Sequence, residues 1–222
     1  MSDSAATQSG IRNQVPKFLM MGGIILLTIM ATLKLQHWQG WHFLLGVVLA
    51  GSYLFWLMSE SQVSATEASK GETGRDKGTC ELYAFGRLLT VFLAMAFDTL
   101  SMSVGVLALA GIALFYFGVL FRLNAIETLG RFYSHRVRLV GEHQVVDTGP
   151  YQYVRHPAYT GMILAHLGFV LFFFNYWAFA CWLLLLVPAV VMRIKVEEHA
   201  LHELPGYSTY AATHKRLIPG VW

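Results

Sequence analysis

Six stretches of the chain are apolar for long enough to cross a bilayer as helix: 18 to 33, 41 to 58, 83 to 98, 102 to 121, 157 to 174 and 176 to 192. A hydrocarbon layer about 30 Å thick takes roughly 20 helical residues, fewer where polar ends snorkel or the bilayer thins. The third stretch carries Arg87 near its start and Asp98 at its end, so the pattern predicts five to six spans. Nothing in it reads as alternating strands and helices. The fold class expected is therefore an all-α integral membrane protein with a C-terminal helical hairpin that turns near Asn175.

Residues 59 to 80, SESQVSATEASKGETGRDKGTC, hold almost no large apolar side chains and predict a flexible connecting loop. That loop divides the chain into an N-terminal transmembrane hairpin over 1 to 80 and a transmembrane catalytic region over 81 to 222. Met1 to Gly10 is polar and carries no charge but Asp3, and the apolar run after Lys17 has no small-residue cleavage site. It reads as a retained span. Gly46 with Ala50, and Gly161 with Ala165, give spacings that let helices approach closely.

Composition agrees with the pattern: 55% of residues are hydrophobic and 13% charged. The net charge of +3 comes from scattered basic residues, which argues against a nucleic-acid partner. Two cysteines, Cys80 and Cys181, provide neither a disulfide framework nor a cysteine metal site. With six spans, all but Lys34 of the sixteen Lys and Arg fall on one side of the membrane, together with both termini. Positive residues accumulate on the cytoplasmic face, so the termini and the polar segments are expected there. Segments 122 to 156 and 193 to 222 flank one hairpin and must share a face in either span count, where they can build one site together.

Polarity rises sharply from Thr128, in TLGRFYSHRVRLVGEHQVVDTGPYQYVRHPAYTG, just before the hairpin. Thr148, Gly149 and Pro150 predict a turn, and Pro157 stands where a first helical position is expected. Tyr151, Tyr153, Arg155, His156 and Tyr159 cluster at that helix start, as an interfacial belt or as a site. After the hairpin comes RIKVEEHALHELPGYSTYAATHKRLIP, in which Arg193 and Glu197 share a helical face with Leu201 and Leu204. A salt bridge is the plain alternative there. Glu198, His199, His202 and Glu203 fit neither HExxH nor HxxEH, so no metal is expected.

GxYxxxRHPxYxG, an apolar hairpin, RxxxEExxL and YxxYxxxxxRxxP, in that order over residues 128 to 220, resemble the isoprenylcysteine carboxyl methyltransferase family and its relatives among phospholipid N-methyltransferases. The resemblance implies a cytosolic pocket for S-adenosylmethionine and a lipophilic acceptor that enters from the membrane. Carried over by position, it implies cofactor contacts from His143, Gln144, Val145, Val146, Tyr151, His156, Pro157, Ala158, Tyr159 and Glu197. Arg193 matches an arginine placed toward the acceptor, and Arg155 is assigned to holding the loop. Asp147 departs from the family, which often has a small or neutral residue there.

The function implied is transfer of a methyl group from S-adenosylmethionine to a lipophilic acceptor, foremost the carboxylate of a prenylcysteine-like molecule. Glu197 suits the cofactor's ammonium, histidines its carboxylate or ribose, and backbone near Val145 and Val146 the adenine edge. A carboxylate acceptor needs no general base but only an orienting cation such as Arg193. His166 lies on one face of the hairpin with Tyr159, Met162, Val170 and Phe173, either lining an acceptor tunnel or hydrogen-bonded to a neighbouring helix. A phospholipid amine or a thiol is the alternative acceptor, and a sterol-reductase-like NADPH enzyme or a scaffold the alternative class.

Overall fold

A computed structural model describes residues 21 to 68, 78 to 99, 105 to 134 and 144 to 222. The chain divides into two compact units, Met1–Glu72 and Thr73–Trp222. In the first, α1 (Met21–Leu35) leads through a tight turn into α2 (Gly40–Ala68), with Gly40 at the positive φ of 61° that glycine adopts without strain. Gly46 admits the turn's side chains, because a Cβ there would sit 2.7 Å from Leu35 Cδ2 and 3.1 Å from the Trp38 ring.

The second unit holds α3 (Thr79–Ala96), α4 (Val106–Leu129), α5 (Pro157–Phe172), α6 (Tyr176–Cys181), α7 (Val187–Leu201) and α8 (Tyr207–Thr213). Short 3-10 turns occupy Gly130–Phe132 and Gly149–Gln152. No strand occurs among the described residues; the isolated parallel bridge of Val154 with Lys215 is the nearest approach. Four helices, Gly40–Glu60, Thr79–Ala96, Val106–Phe132 and Tyr176–Leu201, are long and apolar enough to cross a membrane, and Met21–Leu35 and Pro157–Phe172 are shorter apolar helices. This is the all-α membrane fold that the apolar pattern predicts, and the stretch containing Arg87 is among the four.

The expected loop at 59 to 80 is corrected in part. α2 continues to Ala68 and α3 starts at Thr79, while residues 69 to 77 lie outside those described. Polarity marks where a helix leaves an apolar layer, not where it ends. Ser59 satisfies its hydroxyl within the helix by donating to the Phe55 carbonyl at 2.9 Å, and the Ala, Glu and Gln that follow are good helix formers. α4 likewise runs past the expected 121 to Leu129, and α7 past 192 to Leu201.

α4 and α5 meet backbone to backbone. A Cβ on Gly161 would lie 2.5 Å from the Gly118 carbonyl, and one on Gly111 would lie 2.7 Å from the Gly168 carbonyl. Two glycines seven residues apart on each helix thus give the close approach, with Ala165 between them on α5. This contact fixes the start of α5, and with it His156 to Tyr159, against the end of α4.

Asn175 makes the hairpin turn. Its Oδ1 accepts from the Ala178 N–H at 2.9 Å and caps α6, while its Nδ2 donates to the carbonyls of Leu93 at 3.2 Å and Phe173 at 3.3 Å. α6 passes into α7 through a π-helical turn over Trp182–Leu186, whose closing bond runs from Val187 N–H to the Trp182 carbonyl. Pro188 stands at the start of α7 and brings no N–H to an α-helical bond, and the wider turn accommodates that loss. Gly86 on α3 lets the turn pack close, since a Cβ there would meet Leu186 Cα at 3.3 Å.

Candidate active site

α3, the end of α4, residues 144 to 159, α7 and α8 surround a cavity. Counted with the solvent in its open mouth, the space it outlines is about 980 Å³. The turn that carries its front wall starts at Gly149, whose φ of 56° suits glycine, and closes with Tyr151 N–H donating to the Thr148 carbonyl at 3.1 Å. Tyr151 and Ala158 pack on Ala125 of α4, with Ile126, Leu129 and Val146 against them. That apolar knot sets the loop's depth.

The C-terminal tail then clips onto the same loop. Arg155 N–H donates to the Lys215 carbonyl at 2.8 Å, His156 N–H to the Arg216 carbonyl at 3.0 Å, and Tyr210 Oη to the Tyr151 carbonyl at 2.6 Å. Beneath the clip lies Glu198, buried on α7. It accepts from Arg216 Nε at 2.8 Å, from Arg155 Nη1 at 3.0 Å and from His156 Nε2 at 3.2 Å.

On the cavity wall, Tyr159 Oη donates to Glu197 Oε2 at 2.7 Å and accepts from Arg193 Nε at 2.9 Å. Arg193, 2% exposed, also reaches Thr79 Oγ1 at 3.4 Å and lies 5.9 Å from the Tyr83 ring centre. Tyr83 meets Tyr159 edge-on at 6.1 Å and accepts a hydrogen bond from Arg87 Nη1 at 3.1 Å. Arg122, buried at the end of α4, donates to the Ala158 carbonyl at 3.0 Å and to Tyr133 Oη at 3.1 Å. Burial pushes the phenols of Tyr151, Tyr207 and Tyr210 above their ordinary range, so all three stay protonated at neutral pH.

Of the residues singled out from sequence, Gln144, Val145, Val146, Tyr151, His156, Ala158, Tyr159, Arg193 and Glu197 line this one cavity. His143 lies outside the described residues. Pro157 is buried at the first position of α5 and is not part of the lining. His166 is fully buried, with Nδ1 2.8 Å from the Met162 carbonyl one turn back, and the structure does not bring it to the cavity. Arg155 holds the loop, as assigned, through Glu198. Tyr83, Arg122, Tyr133, Tyr207 and Tyr210 also line the cavity, and the sequence marks none of them as site residues.

The lining offers a half-buried carboxylate, buried guanidinium groups, phenol hydroxyls and apolar walls from Leu129, Phe132, Val145 and Leu204. Such a set suits a ligand with a cationic group, an anionic group and a flat apolar part. Residues 111–203 match the isoprenylcysteine carboxyl methyltransferase (ICMT) family. The ICMT match thus covers α4 from Gly111, the cavity loop, the hairpin and α7, and it stops before α8. ICMT-type relatives include protein-S-isoprenylcysteine O-methyltransferase B of Arabidopsis thaliana, 30% identical over 115 residues that make up 50% of this chain and 58% of that protein. A probable protein-S-isoprenylcysteine O-methyltransferase of Oryza sativa subsp. indica is 30% identical over 105 residues, 46% of this chain and 55% of the relative. The chain spans little more than half the length of these curated relatives.

Proposed function

We propose that this chain is an S-adenosylmethionine-dependent methyltransferase that acts on the carboxylate of a prenylcysteine-like acceptor at the cytoplasmic face of a membrane. The observation that carries the reading is the Arg193–Tyr159–Glu197 chain of hydrogen bonds on the wall of one cavity, inside the residues that match the ICMT family. The relatives' names, which specify O-methylation of S-isoprenylcysteine proteins, support the acceptor class. The cytoplasmic assignment rests on the distribution of Lys and Arg.

The donor set fits the cofactor. Bound there, S-adenosylmethionine supplies an electrophilic methyl group on a sulfonium. Glu197, fixed by the Tyr159 hydroxyl, accepts a charge-assisted hydrogen bond from the ammonium of the amino-acid portion. Val145, Val146 and Leu204 give an apolar slot for the adenine. Arg193 holds the acceptor carboxylate, and its two bonds to Tyr159 and Thr79 keep the guanidinium plane in place. A direct displacement requires nucleophile, methyl carbon and sulfur in line, so this placement is the chain's main contribution to rate. A carboxylate is already ionised at neutral pH, and no side chain has to take a proton. A guanidinium buried at that position disfavours an ammonium acceptor.

Calorimetry on the purified protein in detergent should register binding of both S-adenosylmethionine and S-adenosylhomocysteine. Labelled methyl groups should pass to an S-prenylated cysteine and not to phosphatidylethanolamine. Absence of binding by folded protein removes the methyltransferase reading; transfer to the amine instead removes the acceptor assignment.

A further inference from the structure

Two polar atoms of residues that line the cavity are buried without a hydrogen-bond partner: Arg155 Nε and Tyr207 Oη. Tyr207 is 4% exposed, and the Arg155 side chain 9%. Buried donors are nearly always satisfied, and one that is not calls for an explanation. Both atoms can donate. Arg155 N–H has no other option, and burial keeps the Tyr207 phenol protonated. What would complete them is a hydrogen-bond acceptor, and because both residues line the cavity, a ligand bound there is the source that fits.

Charge says which kind. The lining includes Arg122, Arg155 and Arg193 against the single carboxylate of Glu197. Behind it, Glu198 is shared between Arg155, His156 and Arg216, so one negative charge faces two guanidinium groups and an imidazole. An anion restores balance. Position says which anion. The cavity follows α7 from Arg193 to Leu201, a rise of about 12 Å at 1.5 Å per residue, and Tyr207 comes from α8 beyond the helix end, whereas Arg193 lies beside Tyr83 of the apolar helix α3. Glu197 stands between the two ends.

We propose that Arg155 Nε and Tyr207 Oη form the subsite for the carboxylate of the cofactor's amino-acid portion. This rests on the S-adenosylmethionine reading and extends it to α8, beyond the residues that match the family. The zwitterion is then split, its ammonium on Glu197 and its carboxylate on Arg155 and Tyr207. His156 is engaged by Glu198 through Nε2 and is not needed for this contact.

The test is calorimetry on the full chain in detergent with two ligands, S-adenosylhomocysteine and its analogue that keeps the amine but lacks the carboxylate. Tyr207→Phe should weaken S-adenosylhomocysteine about 10-fold, the worth of one charge-assisted hydrogen bond. Binding of the decarboxylated analogue should not change. Arg155→Lys should give the same pattern. The thermal midpoint of ligand-free Tyr207→Phe should stay level or rise, because the hydroxyl it removes is buried without a partner. A lower midpoint would mark the hydroxyl as structural and overturn the assignment, as would equal weakening of both ligands or of neither. If the wild type binds neither ligand, the cofactor reading itself fails first.

Discussion

Glu198→Ala is expected to destabilise the unit Thr73–Trp222 by about 3 kcal/mol or more, the usual result of removing one partner from a buried ionic cluster. The carboxylate is 5% exposed and faces Arg155 and His156, whose side chains are 9% and 3% exposed, so their charges would lose compensation without gaining water. Arg216, at 32%, can turn outward, which keeps the cost toward the lower end of the roughly 3 to 5 kcal/mol range for buried pairs. Tail and loop should come apart together, because the two backbone bonds from Arg155 and His156 to residues 215 and 216 lie directly above the cluster. Thermal unfolding in detergent and proteolysis of the tail would measure this. An unchanged midpoint with a protected tail would mean that Glu198 does not hold the clip.

The second large effect separates Glu197 from Arg193. Glu197→Gln keeps the shape and removes the charge that faces the cofactor's ammonium, and it should weaken S-adenosylhomocysteine by about 10- to 150-fold, the equivalent of about 1.5 to 3 kcal/mol. Arg193→Lys keeps a positive charge but loses the planar fork that spans Tyr159 and Thr79. Cofactor affinity should then survive within a few-fold while turnover falls, because the acceptor is no longer held in line. Parallel losses of affinity, turnover and stability in both variants would instead identify the Arg193–Tyr159–Glu197 chain as scaffolding.

Much of this site is legible in the order of residues. Helical spacing alone puts Arg193, Glu197, Leu201 and Leu204 along one line, and all four do line the cavity. The RHP turn and its tyrosines gather at a helix start, where an interfacial belt would look the same in sequence, and it is the cavity that they line that distinguishes the two. What spacing cannot reveal is which of two adjacent carboxylates points where. Glu197 and Glu198 differ by about 100° around the helix axis, and only the packed tail makes Glu198 the hub for Arg155 and Arg216. Tyr83, Arg122 and Tyr207 were out of reach for a related reason. Tyr83 and Arg122 stand on apolar helices apart from any motif, Tyr207 belongs to the YxxY motif without a role that spacing could assign, and it takes the contacts of α3, α4 and α8 with the loop to bring them together. The polar stretch after Met58 misleads in the opposite sense, because Ala, Glu and Gln carry a helix beyond an apolar layer as readily as they make a loop.

The π-helical turn at Trp182–Leu186 has a consequence for how this protein can change. It holds one residue more than an α-helical path would need and absorbs it within one wide turn, so α7 keeps the angular phase of an uninterrupted helix. Deleting a single leucine there would let the helix close regularly and leave Arg193 and Glu197 on the wall they share with Tyr159. Deleting one residue between the turn and Arg193 would instead rotate both by about 100° and swing them off that wall. A run of leucines with no chemistry of its own is thus the one stretch of this helix where a residue can be lost without turning the polar wall away.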